Sequence, residues 1–259
     1  MTFIMRSTSN AQYTKRAYAF TLVEMLVTLA VVALLVGLFI PALARARSSA
    51  RQSVCLSNLR GISTVLESYL ERYDDTYPFV RFNQPLAVEP PDEGGGEMAW
   101  DDPWKLIIYW PATMHTIAPW RQYFEAWICP GSDRQADRPW VFAGGAMGMS
   151  SYSYSRSFQA APVLWTSRAE KDPSLIRAIR SAEVQFPSSK VIMFDRELAH
   201  MTPQERRNPS SSSIPMLFGD GHARSLRRTE ATPPSKDNPF VGDPVSLHDT
   251  PDGVSGRDY

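Results

Sequence analysis

Ala19-Phe20-Thr21-Leu22-Val23-Glu24-Met25 leads into a run, Met25 to Ala44, of twenty residues without a charge. At about 1.5 Å per helical residue the run spans roughly 30 Å, the thickness of bilayer hydrocarbon. A buried core helix rarely runs this long without a polar face. A cleaved secretory signal has an apolar stretch of about 7–15 residues, and its small-residue cut site follows that stretch. Here the small residue, Ala19, precedes it. Residues 1–19 hold Arg6, Lys15 and Arg16 and no acid, while Arg45, Arg47 and Arg51 follow the span. Counting positive charges therefore does not orient the helix. Glu24 sits at the edge of the apolar run, and an ionised carboxylate at a span's centre costs about 2.5–3.5 kcal/mol. It needs a partner.

Outward from that span the chain changes character. Of its 259 residues 43% are hydrophobic and 21% charged, enough for a sizeable core. Lys plus Arg and Asp plus Glu are 27 each, so there is no whole-chain basic footprint and no nucleic-acid partner is expected. Two cysteines exclude a disulfide-dense scaffold and a four-cysteine zinc site. From Ala42 to Tyr73 there is one Gly and no Pro, and Cys55, Leu59, Ile62, Leu66, Tyr69 and Tyr73 recur at steps of three and four. That is an amphipathic helical stripe. Asp74-Asp75 and Tyr77-Pro78 end it. A continuous helix over residues 20–73 would be about 81 Å long, with Pro41 removing one hydrogen bond and bending or loosening it.

Residues 76–228 read as an α+β globular head. Lys190 to Asp195 is a buried strand, and Ser151 to Arg156 alternates strictly as a second one. Pro215 to Leu226 is a hairpin turning on Asp220-Gly221, the favoured two-residue turn. Lys105 to Trp110 is too short for periodicity to decide. Pro85 to Pro103 is a loop with six acids and no base. Residues 229–259, with five prolines and three glycines, read as a flexible C-terminal tail.

The N-terminal stretch resembles the prepilin signal of type IV pilins and type II secretion pseudopilins. The resemblance implies that a basic cytoplasmic leader, residues 1–19, is cut between Ala19 and Phe20 by a prepilin peptidase, and that the new N-terminus is methylated. Glu24 then takes the family's Glu position, fifth from the cut, and Pro41 its helix-bending proline. The chain departs in one place: Ala19 stands where the family usually has Gly. The implied role of Glu24 is assembly, its carboxylate neutralised by the N-terminus of a neighbouring subunit. The implied fold is a long N-terminal transmembrane helix, residues 20–75 with the span at about 20–44, packed on a small antiparallel sheet. The implied partners are prepilin peptidase, other pilin-like subunits, an inner-membrane assembly platform and membrane lipid. The implied place is the bacterial inner membrane, single-pass, N-terminus cytoplasmic and head outside.

Further patches resemble a pilin-like subfamily that carries a processing-associated His-X9-Asp-Gly motif. These are Ala50 to Arg60, Ile128-Cys129-Pro130-Gly131-Ser132-Asp133, Ser188 to Asp195, and Leu217 to His222. Asp220-Gly221 is that motif's turn, but Ser210 stands where its His would be. Both cysteines fall in these patches. Cys55 on the apolar stripe reads as a small buried residue. On the oxidising exported side the alternative is a Cys55–Cys129 disulfide pinning a head loop to the helix.

No catalytic motif is present: Gly-x-Ser-x-Gly, P-loop and His-Glu-x-x-His are all missing from the sequence. Asp195, Asp220 and His222 would form an acid/base or metal site only if they met at one sheet end; turn chemistry is the commoner use of such aspartates. Asp237, Asp243, Asp249 and Asp252 invite a calcium reading, though their spacing matches no calcium loop. No metal, cofactor or enzymatic activity is expected. The tryptophans gathered between Trp100 and Trp165 leave one alternative function: a membrane-anchored exported module with a Trp-rich surface for glycan or protein. Removal of residues 1–19 leaves 24 basic against 27 acidic residues, so the neutral total conceals a basic leader and a mildly acidic exported part.

Overall fold

The computed structural model describes residues 21–81, 85–87, 97–99, 103–132, 140–142, 145–147, 149–166, 171–207, 212–236 and 238–259. The chain divides into two compact units, Met1–Ala44 and Arg45–Tyr259.

Helix α1 runs Leu22–Arg72 and continues through Pro41. Within the first unit its side chains are exposed, Leu22, Leu26, Leu29, Leu34 and Leu38 each by more than 60%. An apolar surface of that extent is a surface built to be covered by something else. In the second unit the helix buries Cys55, Leu59, Ile62, Leu66 and Tyr69, the sequence stripe one turn after another. Tyr73 is exposed and stacks on Tyr69, ring centroids 4.3 Å apart. The helix stops in two left-handed residues, Asp74 and Asp75, both at φ 53°, and the Asp75 N–H donates to the Leu70 carbonyl.

The strands follow in chain order. β1 (Pro85–Ala87) pairs antiparallel with β2 (Glu97–Ala99), so the acidic segment holds a short ribbon where the composition reads as loop. Lys105 to Trp110 is helical: a 3-10 turn, then α2 (Leu106–Tyr109), then a second 3-10 turn over Trp110–Met114. Helix α3 is Trp120–Trp127. A second ribbon joins β3 (Trp140–Phe142) to β4 (Gly145–Met147). The main sheet is antiparallel, order β5 (Tyr152–Tyr154), β6 (Val191–Asp195), β7 (Ser213–Phe218), β8 (Ala223–Arg227), with α4 (Pro203–Arg207) between β6 and β7. The architecture is α+β and pilin-like: a long N-terminal helix and a small four-stranded antiparallel sheet.

Alternation in β7 explains the layering. Leu217 faces the cluster built on the α1 stripe, with Tyr152, Tyr154 and Met193. Ile214, Met216 and Phe218 face the other way, where Val191, Phe194, Met201 and Leu247 complete a second cluster. The sheet is thus covered on both faces, which is why β5, polar and alternating in sequence, is buried throughout.

The expectation of a flexible tail over 229–259 is corrected here. Leu247, Asp249, Thr250, Val254 and Asp258 are buried, and Leu247 and Tyr259 pack on the second cluster. Proline and glycine punctuate this segment, and Asp249, Thr250 and Asp258 are hydrogen-bonded inside the head.

Candidate assembly and processing site

The apolar helix begins in a reciprocal cap. Thr21 N–H donates to Glu24 Oε2 at 2.8 Å, the Thr21 hydroxyl donates to the same oxygen, and Glu24 N–H donates back to Thr21 Oγ1 at 3.2 Å. This is the capping box that Thr-x-x-Glu encodes. It holds the Glu24 carboxylate at the helix mouth. Ala19 and Phe20 themselves lie outside the described residues. Pro41 lies inside the helix, well before the first residue of the buried stripe, Cys55.

In the head, Cys55 on α1 and Cys129 in the turn after α3 form a disulfide, Cα atoms 5.4 Å apart and both fully buried. Asn58, one turn on, donates to the Ile128 carbonyl at 3.2 Å and to the Tyr152 hydroxyl, so the same loop is held by side-chain hydrogen bonds. Asp195 and His200 lie beside the disulfide. Asp195 Oδ1 accepts the Glu197 and Leu198 N–H groups, and its Oδ2 faces His200 Nδ1 at 2.7 Å. The ligand atoms of Cys55, Cys129, Asp195 and His200 all lie within 4.8 Å of one another. Two cysteines, a histidine and a carboxylate are a zinc-type donor set only while both sulfurs are thiolates; the disulfide withdraws them. Sequence spacing missed this cluster because His200 follows Asp195 by a gap that matches no ligand pattern.

Asp195, Asp220 and His222 do not meet. Val191 opens β6 opposite Phe218, so Asp220 lies at the strand's beginning and Asp195 at its end. Asp220 and His222 form their own pair in the β7–β8 turn, His222 Nδ1 being 2.5 Å from Asp220 Oδ1. Partial burial pushes the Asp220 carboxyl up, but the His222 ring and backbone N–H outweigh it and hold it below its ordinary value. The turn is also longer than Asp-Gly alone implies. Phe218 N–H donates to the His222 carbonyl and Gly221 N–H to the Phe218 carbonyl, leaving a three-residue loop with Gly221 at φ +84°.

Among the described residues Trp110, Trp127 and Trp165 are at most 1% exposed, Trp104 and Trp120 are half-buried, and Trp110 stacks on Trp127 at 4.7 Å. Among the described residues the C-terminal aspartates form no ligand cluster; Asp249 is tied to Arg156 at 2.7 Å instead, and Asp237 lies outside the described residues, as does Ser210.

With this geometry in place, the comparison with known families reads directly. Residues 14–40 match the prokaryotic N-terminal methylation motif. The chain carries a prepilin-type signal. No curated protein and no solved structure matches it. The matched segment includes Lys15, Arg16, Ala19, Phe20, Glu24 and most of the exposed apolar helix. This pilin-like chain is thus of the type that prepilin peptidase processes and that assembles with other pilin subunits, and its N-terminal helix fits a membrane anchor.

Proposed function

We propose that the protein is a structural, non-enzymatic subunit of a type IV pilus-like or type II secretion pseudopilus fibre. Prepilin peptidase cuts between Ala19 and Phe20, the Phe20 amine is methylated, and an inner-membrane platform extracts the subunit from lipid into the fibre. The N-terminus starts in the cytoplasm and the head lies outside the membrane. One observation carries the reading: the methylation motif sits at the mouth of a helix whose apolar side chains are exposed along the whole first unit. Lipid covers that surface before assembly and neighbouring helices cover it afterwards.

Glu24 supplies register. In lipid or in a helical bundle its charge is costly unless paired. The Thr21 hydroxyl and N–H satisfy part of it within the chain. The cationic Phe20 amine of a neighbour neutralises it, so a subunit set at the wrong stagger leaves two buried charges unmatched. The Cys55–Cys129 disulfide and the Asp220-Gly221 turn fix the head to α1 so that pulling on the helix moves the head with it.

Two measurements on the native protein test this. Mass spectrometry of the mature N-terminus is expected to find methylated Phe20; a retained Met1 or Met5 start would show a plain signal anchor. Glu24→Val is expected to insert normally in the membrane yet fail to enter fibres, and normal incorporation would overturn the assembly role.

A further inference from the structure

Lys190 precedes β6 with its side chain wholly buried, and lysine is almost never so buried without a partner. Its Nζ lies 3.2 Å from Oδ2 of Asp258, which is equally buried. Nζ also donates to Thr250 Oγ1 at 2.6 Å, and the Thr250 hydroxyl donates to Asp258 Oδ1. Asp258 Oδ2 accepts the Val191 N–H at 2.8 Å, and the Asp258 N–H donates to the Ser189 carbonyl at 2.9 Å. The carboxyl is therefore clamped through both oxygens and through its backbone, with the amine held against it. The Phe158 ring closes one side, its centroid 6.0 Å from Nζ.

Two charges in such a place are poorly repaid for losing water. Burial pushes the Lys190 amine below its ordinary value, against the opposing pull of Asp258 and Asp249. Burial pushes the neighbouring Asp249 carboxyl up to about 6, and its Oδ1 has no hydrogen-bond partner. An amine that hands its proton across this contact is a nucleophile held beside the carboxyl.

We propose that Lys190 and Asp258 condense into an intramolecular isopeptide bond that ties the C-terminal segment covalently to the start of β6. One proton passes from Nζ to the Asp258 carboxylate across this contact, and the freed Nζ lone pair adds to Cγ. The C–N bond forms, one C–O bond breaks, and that oxygen leaves as water with the carboxyl proton and one amine proton. The condensation needs no oxidant, cofactor or second substrate. The Val191 N–H stabilises charge developing on Oδ2, in the manner of an oxyanion donor. The Thr250 hydroxyl holds Oδ1, and Asp249, near enough for its charge to act on the amine, moves protons between the nucleophile and the leaving oxygen. Fixed proximity of the two groups replaces the activation such a condensation requires in solution. The product is an amide that reducing agents do not open.

The test is the mass of the purified full-length protein together with tandem mass spectrometry of its digest. The expected result is a mass one water lighter, located on a branched peptide joining Lys190 to Asp258. An unmodified mass, with Lys190 and Asp258 on separate linear peptides, overturns the proposal. Asp220-Gly221 and Asp252-Gly253 can also lose water by cyclising, so a loss located there with Lys190 free overturns it equally. Lys190→Arg keeps the positive charge but cannot form this amide. The variant is expected to have the full mass, and persistence of the loss in it would refute the bond.

Discussion

Gly221 lies directly against Ser63: a Cβ at Gly221 would sit 2.8 Å from the Ser63 hydroxyl and 3.1 Å from Glu67 Oε1, both on α1. The tip of the β7–β8 hairpin is thus a docking point for the helix. Two constraints coincide there, a left-handed φ of +84° and the absence of room for a side chain. Gly221→Ala is therefore expected to destabilise the head by about 1–3 kcal/mol, the sum of the backbone penalty and a displaced contact. The urea midpoint of the detergent-solubilised chain reads this. An unchanged midpoint would mean that the hairpin tip does not bear on α1.

The sequence made some of this legible and hid the rest for physical reasons. The α1 stripe was readable because one helix face meets one sheet, and a single period then encodes it. The apolar span was readable because its exposed apolar surface is never interrupted. Asp220-Gly221 marked the hairpin, although the third loop residue, Gly219, could not be told from strand. The C-terminal segment misled because its core contribution is made by isolated residues, Leu247, Val254 and Tyr259, set among prolines and aspartates with no period. Lys190 and Asp258 were equally silent. They are sixty-eight residues apart in the chain, and a lysine before a strand ordinarily reads as its solvated end. His200 joined Asp195 only through a turn whose geometry the sequence does not announce.

The disulfide joins residues 74 apart, long enough for its loss to matter. The chain-entropy account puts the effect of a loop that long at about 4 kcal/mol. Cys55→Ser is expected to lose a substantial part of that stability, and reductant should lower the wild-type midpoint by a similar amount while leaving the variant unmoved. If reductant leaves the wild-type midpoint where it was, Cys55 and Cys129 are merely small buried residues. Asn58 should retain some order in the loop in either case, since its bond to the Ile128 carbonyl does not depend on the sulfurs.

His248 and Asp249 are neighbours with opposite pH signatures. Burial, reinforced by Arg156, Arg228 and other cations, holds the His248 imidazole well below its ordinary value of 6.5. The unfolded chain takes up that proton below about pH 6.5 and the folded one does not, so stability falls as pH drops through this point. Burial raises Asp249 from 3.8 to about 6, against the Val245 N–H and Arg156 that pull it down. The folded chain takes up that proton first, so stability rises as pH falls from about 6 towards 4. His248→Gln should therefore flatten acid destabilisation, by about 2 kcal/mol between pH 7 and pH 5. Asp249→Asn should steepen it by about 1 kcal/mol over the same interval. Denaturant midpoints taken across that range decide the matter, and slopes that change in the same direction for both variants would contradict the assignment.

Removing residues 247–259 tests whether the last segment is structural or a passive tail. Its loss would uncover Ile214, Met216 and Phe218 on the outer sheet face, where Leu247 and Tyr259 now pack. It would also take Asp258 from Lys190 and Asp249 from Arg156, removing the acidic partners that the segment supplies to these two buried or largely buried basic side chains. Breaking one buried pair by deleting a single partner typically costs about 3–5 kcal/mol, and uncovering a large aliphatic or aromatic side chain adds about 1.5–3 kcal/mol. Those amounts approach the whole stability of an ordinary domain. The truncated chain should still insert through α1, because the apolar span lies in the other unit, but its head should be digested rapidly by protease. A truncated head as resistant to protease as the full-length one would show that the segment closes nothing.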